Sequence, residues 1–234
     1  MYDHWAGVVY PLGMPKREWF YEYAKTFDTV EINSTFYRLP KEHVFKSWAE
    51  KAPEGFLFAV KMWRVITHLK RLQEVDAFVE SFLTRTRLLG SYLGPILIQL
   101  PPQMPLNLSL LRSFIELLPK DLKYVLEFRN PSWFVNRVYH VLEDEHIGFC
   151  IFDHPEIPCP RVVTSEIVYI RFHGYHRRYG GDYPLEILED WAEFVVDQTR
   201  YGREIFVYFN NDVGGYAFKN AKELKQLVTQ RLEA

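Results

Sequence analysis

The chain has 234 residues and a formal charge of −2, long enough to bury a substantial core and close to the ~250 residues typical of one (β/α) barrel. A pI near 6.5 argues against a general basic coat for nucleic acid but leaves room for a local basic patch. With Cys150 and Cys159 as its only cysteines, the chain can build neither a multi-bridge framework nor a four-cysteine metal site, which fits a reducing compartment.

The N-terminus lacks a basic region followed by an apolar run. Nowhere are there ~18 uninterrupted apolar residues. The expectation is a cytoplasmic protein with no membrane partner, folded as a single domain over residues 1–234.

In chain order, Val8-Val9-Tyr10 is short, runs into Pro11 and reads as loop. The first predicted strand is Thr29–Tyr37. Val44, Phe45, Trp48, Ala49 and Ala52 then share one helical face. Strand Phe56–Met62 precedes a second such face of Val75, Phe78, Val79, Phe82 and Leu83. Strand Pro95–Leu100 is followed by a helix from Pro105-Leu106 through Leu118, stopped by Pro119. After strand Tyr124–Asn130, Pro131-Ser132 opens a helix toward Glu145. Strand Gly148–Asp153 leads into an irregular stretch, His154–Glu166, with prolines at 155, 158 and 160. Strand Val168–Gly174 precedes the helical face of Leu188, Trp191 and Val195. Strand Glu204–Asn211 precedes a closing helix carrying Ala217, Ala221, Leu224 and Val228.

Seven short β-branched runs alternating with amphipathic stretches predict an α/β fold with a parallel sheet. A TIM-type (β/α)8 barrel is the first reading and a doubly wound open sheet the competing one. The barrel is favoured by the strand ends. Side chains alternate along a strand, so Glu31 shares a face with Asn33, Lys61 with Ala59, Glu127 and Arg129 with Val125, Asp153 with Ile151, and Arg171 and His173 with Tyr169. Gln99, Tyr208 and Asn210 complete a set of polar C-terminal strand ends, where barrel enzymes place their chemistry. The same parity puts Cys150 on the helix-facing side. His68 and His140 read as helix or loop residues.

The candidate catalytic residues are Glu31, Lys61, Glu127, Arg129 and His173. Candidate substrate contacts are Asn33, Gln99, Asp153, Arg171, Tyr208, Asn210 and Asn211. The Gly174–Gly181 loop adds Arg177 and Arg178, making the strand ends positive. The pair Gly214-Gly215, before the last helix, permits close backbone approach and can present a helix N-terminus to an anion. A self-neutralising network of buried charges is the competing structural reading.

Glu31-Ile32-Asn33-Ser34-Thr35-Phe36-Tyr37, Phe58-Ala59-Val60-Lys61, Glu127-Phe128-Arg129-Asn130, Arg171-Phe172-His173-Gly174 and Tyr208-Phe209-Asn210-Asn211-Asp212, with Trp5 and Tyr10-Pro11, resemble the YecE-like family, domain of unknown function number seventy-two. The resemblance runs from Trp5 to about Val228. It implies a TIM barrel and carries no activity, cofactor or substrate with it. Family members open with a short glycine-containing strand before the tryptophan segment, whereas here Met1 falls after it. The first strand of the eight is therefore expected to be missing from this sequence, either because the start is assigned too late or because the barrel has a gap, and a true seven-strand form would leave an edge that invites association.

The leading functional reading is an enzyme, a hydrolase or lyase, acting on a phosphorylated or other anionic small molecule. Glu127 or Glu31 would serve as general base, with Arg129, Arg171 and His173 stabilising developing charge. A metal-assisted version would place a divalent ion among Glu31, Glu127, Asp153 and His173. A different class of protein, a non-catalytic module binding nucleic acid or another polyanion, would use Arg177, Arg178, Lys219 and exposed tyrosines. A two-carboxylate hydrolase would rest on the separation of Glu31 and Glu127.

Overall fold

The computed structural model describes residues 3–233. Met1 and Tyr2, part of the N-terminal pattern considered above, and Ala234 lie outside the described residues. Seven strands occur among those described: β1 (Thr29–Ile32), β2 (Leu57–Lys61), β3 (Leu93–Gln99), β4 (Tyr124–Glu127), β5 (Gly148–Asp153), β6 (Ile167–Phe172) and β7 (Glu204–Phe209). The α-helices are α1 (Trp19–Ala24), α2 (Ser34–Tyr37), α3 (Glu42–Lys51), α4 (Asp76–Thr86), α5 (Leu108–Ile115), α6 (Asn136–Asp144), α7 (Leu185–Arg200) and α8 (Tyr216–Glu233).

The sheet runs β1-β2-β3-β4-β5-β6-β7, with parallel neighbours. A strand order that follows the chain without reversal is that of a (β/α) barrel, since a doubly wound sheet turns back at a switch point. The fold is thus an α/β barrel, with seven strands among the described residues and β1 the first of them.

The chain divides into two compact units. One unit comprises Asp28–Cys150 and Val162–Ser165. In it, β1 stops at Ile32, short of the expected Tyr37, because the next residues form α2. The Thr35 hydroxyl fixes that turn by donating to the carbonyls of Ile32 (3.0 Å) and Lys61 (2.7 Å). Helices α3 and α4 bury the anticipated Phe45, Val79, Phe82 and Leu83. Asn107 caps α5, its Oδ1 accepting from the Leu110 amide at 3.0 Å, which satisfies one of the helix's orphan donors.

The helix expected from Pro131 begins instead as a single 3₁₀ turn, Pro131–Trp133, and α6 starts at Asn136. Trp133 is drawn inward, stacking on Phe128 at 4.7 Å and donating Nε1–H to the Met104 carbonyl at 2.8 Å. Residues 162–165 return to this unit through Thr164, whose Oγ1 accepts from the Phe149 amide (2.8 Å) and donates to the Ile147 carbonyl (2.6 Å).

The other unit holds the chain up to Phe27, Ile151–Arg161 and everything from Glu166. Its strands β6 and β7 pair from Ile167↔Glu204 to Phe172↔Phe209. Between β5 and β6 the proline-bearing stretch forms no helix, as its composition predicts. Val8–Tyr10 supplies no strand, only a single bridge between Ala6 and Tyr10. The N-terminal arm instead packs Trp5, Tyr10 and Trp19 with Ala217 of α8, while Val9 and Phe209 of β7 lie against that cluster. Tyr10 and Trp19 stack at 5.0 Å, and Trp5 Nε1–H donates to the Asp212 carbonyl at 3.1 Å.

Candidate functional site

In the first unit, strand register decides which side chains share a face. Glu31 pairs with Ala59, Lys61 with Leu97 and Gln99 with Glu127. Parallel partners point the same way and residues two apart along a strand repeat the face. Glu31, Lys61, Gln99 and Glu127 therefore lie on one face of β1–β4. Three charged groups there are withdrawn from water, with Glu127 fully buried, Arg129 5% exposed and Lys61 9%.

Glu127 Oε1 accepts from Arg129 Nε–H, a charge-assisted bond of the kind buried ions require. Glu31 Oε1 accepts from Asn33 Nδ2 at 2.8 Å. The Lys61 ammonium stands 4.2 Å from the centre of the Phe36 ring.

Two groups beside this set differ from the sequence reading. Cys150 was expected on the face opposite Glu127. The pairings Val125↔Gly148 and Leu126↔Phe149 place it on the same face, and its Sγ lies 3.8 Å from Glu127 Oε2. Every residue of β5 up to Phe152 is buried, so hydropathy gives no alternation from which to read parity.

His68, read as an ordinary helix or loop residue, sits on a single π-helical turn, Val65–Leu69. Nδ1 is 2.9 Å from Thr67 Oγ1, and the ring meets Phe36 edge-on at 4.8 Å. Burial, then the positive charges of Lys61 and Arg64, push its pKa down to about 4 against the opposing pull of Glu127. At neutral pH this imidazole is uncharged.

In the second unit, Arg171 pairs in register with Tyr208, whose ring lies 5.1 Å from that of Tyr169. His173 is buried on the same strand face as Arg171, 6.2 Å from the Tyr179 ring and 5.8 Å from that of His154. His154, which opens the irregular stretch after β5, is a further candidate that no sequence pattern marks. Its Nδ1 accepts from the Glu156 amide at 3.1 Å, which leaves Nε2 as the protonated nitrogen of the neutral ring.

Asp153 departs from its expected place. By strand alternation it lies opposite Cys150, and its Oδ1 accepts from the Tyr183 hydroxyl at 2.8 Å, just before α7. Burial raises its pKa, offset by the Tyr183 bond and by the charge of Arg161. Burial and the neighbouring Asp153 likewise raise the Tyr183 phenol. Asp153 thus joins Tyr183 and not the Arg171–His173 face.

The Gly174–Gly181 loop is tightly wound. Tyr175 N–H donates to the Gly180 carbonyl at 3.0 Å, and Tyr179 N–H to that of His173 at 2.6 Å. A Cβ at Gly174 or Gly181 would strike the carbonyls of Arg177 or Tyr175. Arg177 and Arg178 are exposed, and Arg178 lies over the Tyr179 ring at 5.0 Å.

Asn210 Nδ2 is buried without a hydrogen-bond partner among the described residues. Asn211, by contrast, is engaged internally, donating to the Gly181 carbonyl and to Asn220 Oδ1 at 2.8 and 2.9 Å. Lys219 is held by Asp182 and Glu223. Gly214 and Gly215 both take left-handed backbone, and a Cβ on Gly215 would lie 2.6 Å from Val8 Cγ1. The requirement for glycine at 215 is met by the N-terminal arm, with no anion needed to account for it.

Among the described residues, no three His, Cys, Asp or Glu side chains gather as a metal would need. Glu31 accepts from Asn33, Glu127 from Arg129 and Asp153 from Tyr183.

A parallel sheet wound in chain order, with acids, cations and imidazoles at its strand ends, defines a (β/α)-barrel protein. The chain belongs to the family described as "Protein of unknown function DUF72", whose model matches residues 1–234. It is 38% identical over 179 residues to "UPF0759 protein YecE" of Escherichia coli K12, an alignment covering 65% of this chain and 66% of that protein. The chain thus matches just under two thirds of that relative's length. It is 26% identical to "UPF0759 protein YunF" of Bacillus subtilis, covering 94% of this chain and 90% of that one. A crystal structure of a DUF72 family protein from Thermotoga maritima superposes with a TM-score of 0.89 at 28% identity, over 97% of this chain and 95% of the other. No helix among the described residues is long and apolar enough to cross a membrane.

Proposed function

We propose that this chain is an enzyme acting on a phosphorylated or otherwise anionic small molecule at the C-terminal ends of β1–β4. Glu127 is the acid–base carboxyl, and Lys61 and Arg129 stabilise negative charge that develops during the reaction. The observation that carries this reading is that four consecutive strands end in polar side chains on one face, with Glu127, Arg129 and Lys61 almost wholly withdrawn from water. Valine or leucine fills such positions without the cost of desolvating charge, so a purely structural role does not account for the choice.

The test is turnover of a panel of phosphate monoesters and carboxylated metabolites by the wild type and by Glu127→Gln. Loss of turnover with an unchanged circular-dichroism spectrum is expected. Full activity in the variant removes Glu127 from the mechanism.

A second reading, binding of a polyanion such as single-stranded nucleic acid, draws support from the loop after β6. His176, Arg177, Arg178 and Tyr179 are exposed there, and His176 and Tyr179 hold left-handed backbone at φ 59° and 61°. Strained non-glycine backbone of this kind concentrates at functional sites. A labelled single strand whose mobility shifts at low salt, with the shift lost in Arg177→Ala/Arg178→Ala, would favour it.

A further inference from the structure

The π-helical turn after β2 has features that a plain connection does not need. The Lys70 amide reaches back five residues to the Val65 carbonyl at 2.9 Å, and the Leu72 amide reaches the Ile66 carbonyl at 3.0 Å. Isolated π turns recur at functional sites because the inserted residue re-aims a side chain. Immediately downstream, Arg71, Leu72 and Glu74 all hold left-handed backbone, at φ 50°, 67° and 51°, a conformation that non-glycine residues take up only against strain. The chain between β2 and α4 is bent into this shape around Ile66 and Thr67, both fully buried, and His68 is what the bend presents.

The surroundings of His68 define the chemistry available to it. The Phe36 ring braces one side, with the Lys61 ammonium standing over that same ring. Thr67 Oγ1 engages Nδ1. When Nδ1–H donates to this oxygen, Nε2 carries a lone pair and is left for a bound molecule. The charged groups felt at the ring are Lys61 on β2, Arg64 at the start of the turn and Glu127 on β4. Lys61 and Arg64 bring positive charge to the ring, to which an anion would be drawn.

We propose that His68 is a second proton-transferring residue, beside Glu127, for an anionic substrate whose charge is held by Lys61 and Arg64. This rests on the anionic-substrate reading given above and adds to it how the base is switched on. In the unliganded protein burial first, and then the two cations, hold His68 neutral and weakly basic. A bound anion offsets their charge and raises the basicity of Nε2 toward the working pH, where general-base catalysis is most effective. Nε2 then accepts a proton from a substrate hydroxyl or from water. The positive charge formed on the ring is stabilised by Glu127 and by the substrate's own anion. The base is activated by the molecule it acts on, and water is not deprotonated in an empty site.

The decisive measurement is an NMR titration of histidine-labelled wild-type protein with and without inorganic phosphate, alongside calorimetry of phosphate binding. The His68 midpoint is expected at about 4 without phosphate and higher with it, the upward move being lost in Lys61→Met. In turnover assays His68→Gln should lose about 100-fold or more in kcat with little change in KM. The acid limb of the pH profile should shift with it.

Phosphate that binds, by its heat, without moving the His68 midpoint overturns the assignment to His68 and leaves the anionic-substrate reading standing. No phosphate binding by either method, with His68 titrating at its unliganded midpoint throughout, overturns both. The wild-type titration needs no substitution, so a poorly folding variant does not obscure the result.

Discussion

Substituting Gly215 by alanine tests the close approach between the N-terminal arm and the turn before α8. Gly215 holds φ +78°, where a Cβ costs roughly 1–2 kcal/mol. The added carbon would also lie 2.6 Å from Val8 Cγ1, a clash of the kind that overpacking series place at about 1–3 kcal/mol. Gly215→Ala is therefore expected to lose ~2–5 kcal/mol.

Val8 is 63% exposed, so Val8→Ala alone should change stability by less than about 0.5 kcal/mol. In the double variant the clash is relieved and only the backbone cost remains, which gives a coupling energy of ~1–3 kcal/mol in a double-mutant cycle. Urea unfolding at pH 7, followed by tryptophan fluorescence, reads all four proteins. A Gly215→Ala variant as stable as the wild type, or a cycle with no coupling to Val8, would show that the glycine answers to something other than the arm.

Two further substitutions probe buried polar groups. Burial raises the Asp153 pKa, so the folded state holds that proton more tightly than the unfolded chain does. The resulting stability is present at low pH and is lost as pH rises from the unfolded value through the folded one. Asp153→Asn still accepts from Tyr183, so it should raise Tm at pH 7 and leave it nearly unchanged below pH 4; a lower Tm at both pH values would refute this. Thr164→Val strands the buried Phe149 amide and should cost about 1–3 kcal/mol in the same urea assay, whereas a neutral result would mean that another acceptor replaces Oγ1.

The alternation of β-branched runs and amphipathic stretches was enough to place all seven strands, because strand and helix periods are local properties of the sequence. The parity of β5 was not legible. Gly148–Phe152 is buried on both sides, and Asp153 at its end suggested a partner on the polar face. Its actual partner, Tyr183, lies thirty residues away and outside any strand. His68 was hidden for a different reason. A π turn has no residue signature, and Val65-Ile66-Thr67-His68-Leu69 reads as an unremarkable apolar connection until the Phe36 and Thr67 contacts are seen. Gly214-Gly215 showed the opposite failure, since the glycines were noticed but the demand on Gly215 comes from Val8, more than two hundred residues earlier.

That same arm has a consequence for biosynthesis. The residues up to Phe27 belong to a compact unit whose other members begin at Ile151, and Trp5, Tyr10 and Trp19 bury themselves against Ala217. At translation rates of about 5–20 residues per second, the arm emerges roughly 10–40 s before α8 has been made. During that interval its tryptophans and tyrosine have nowhere of their own to go, while the unit around Asp28–Cys150 can already begin to condense. The arm is thus made early and is among the last segments to reach its place, and in the meantime its aromatic side chains are open to chaperones.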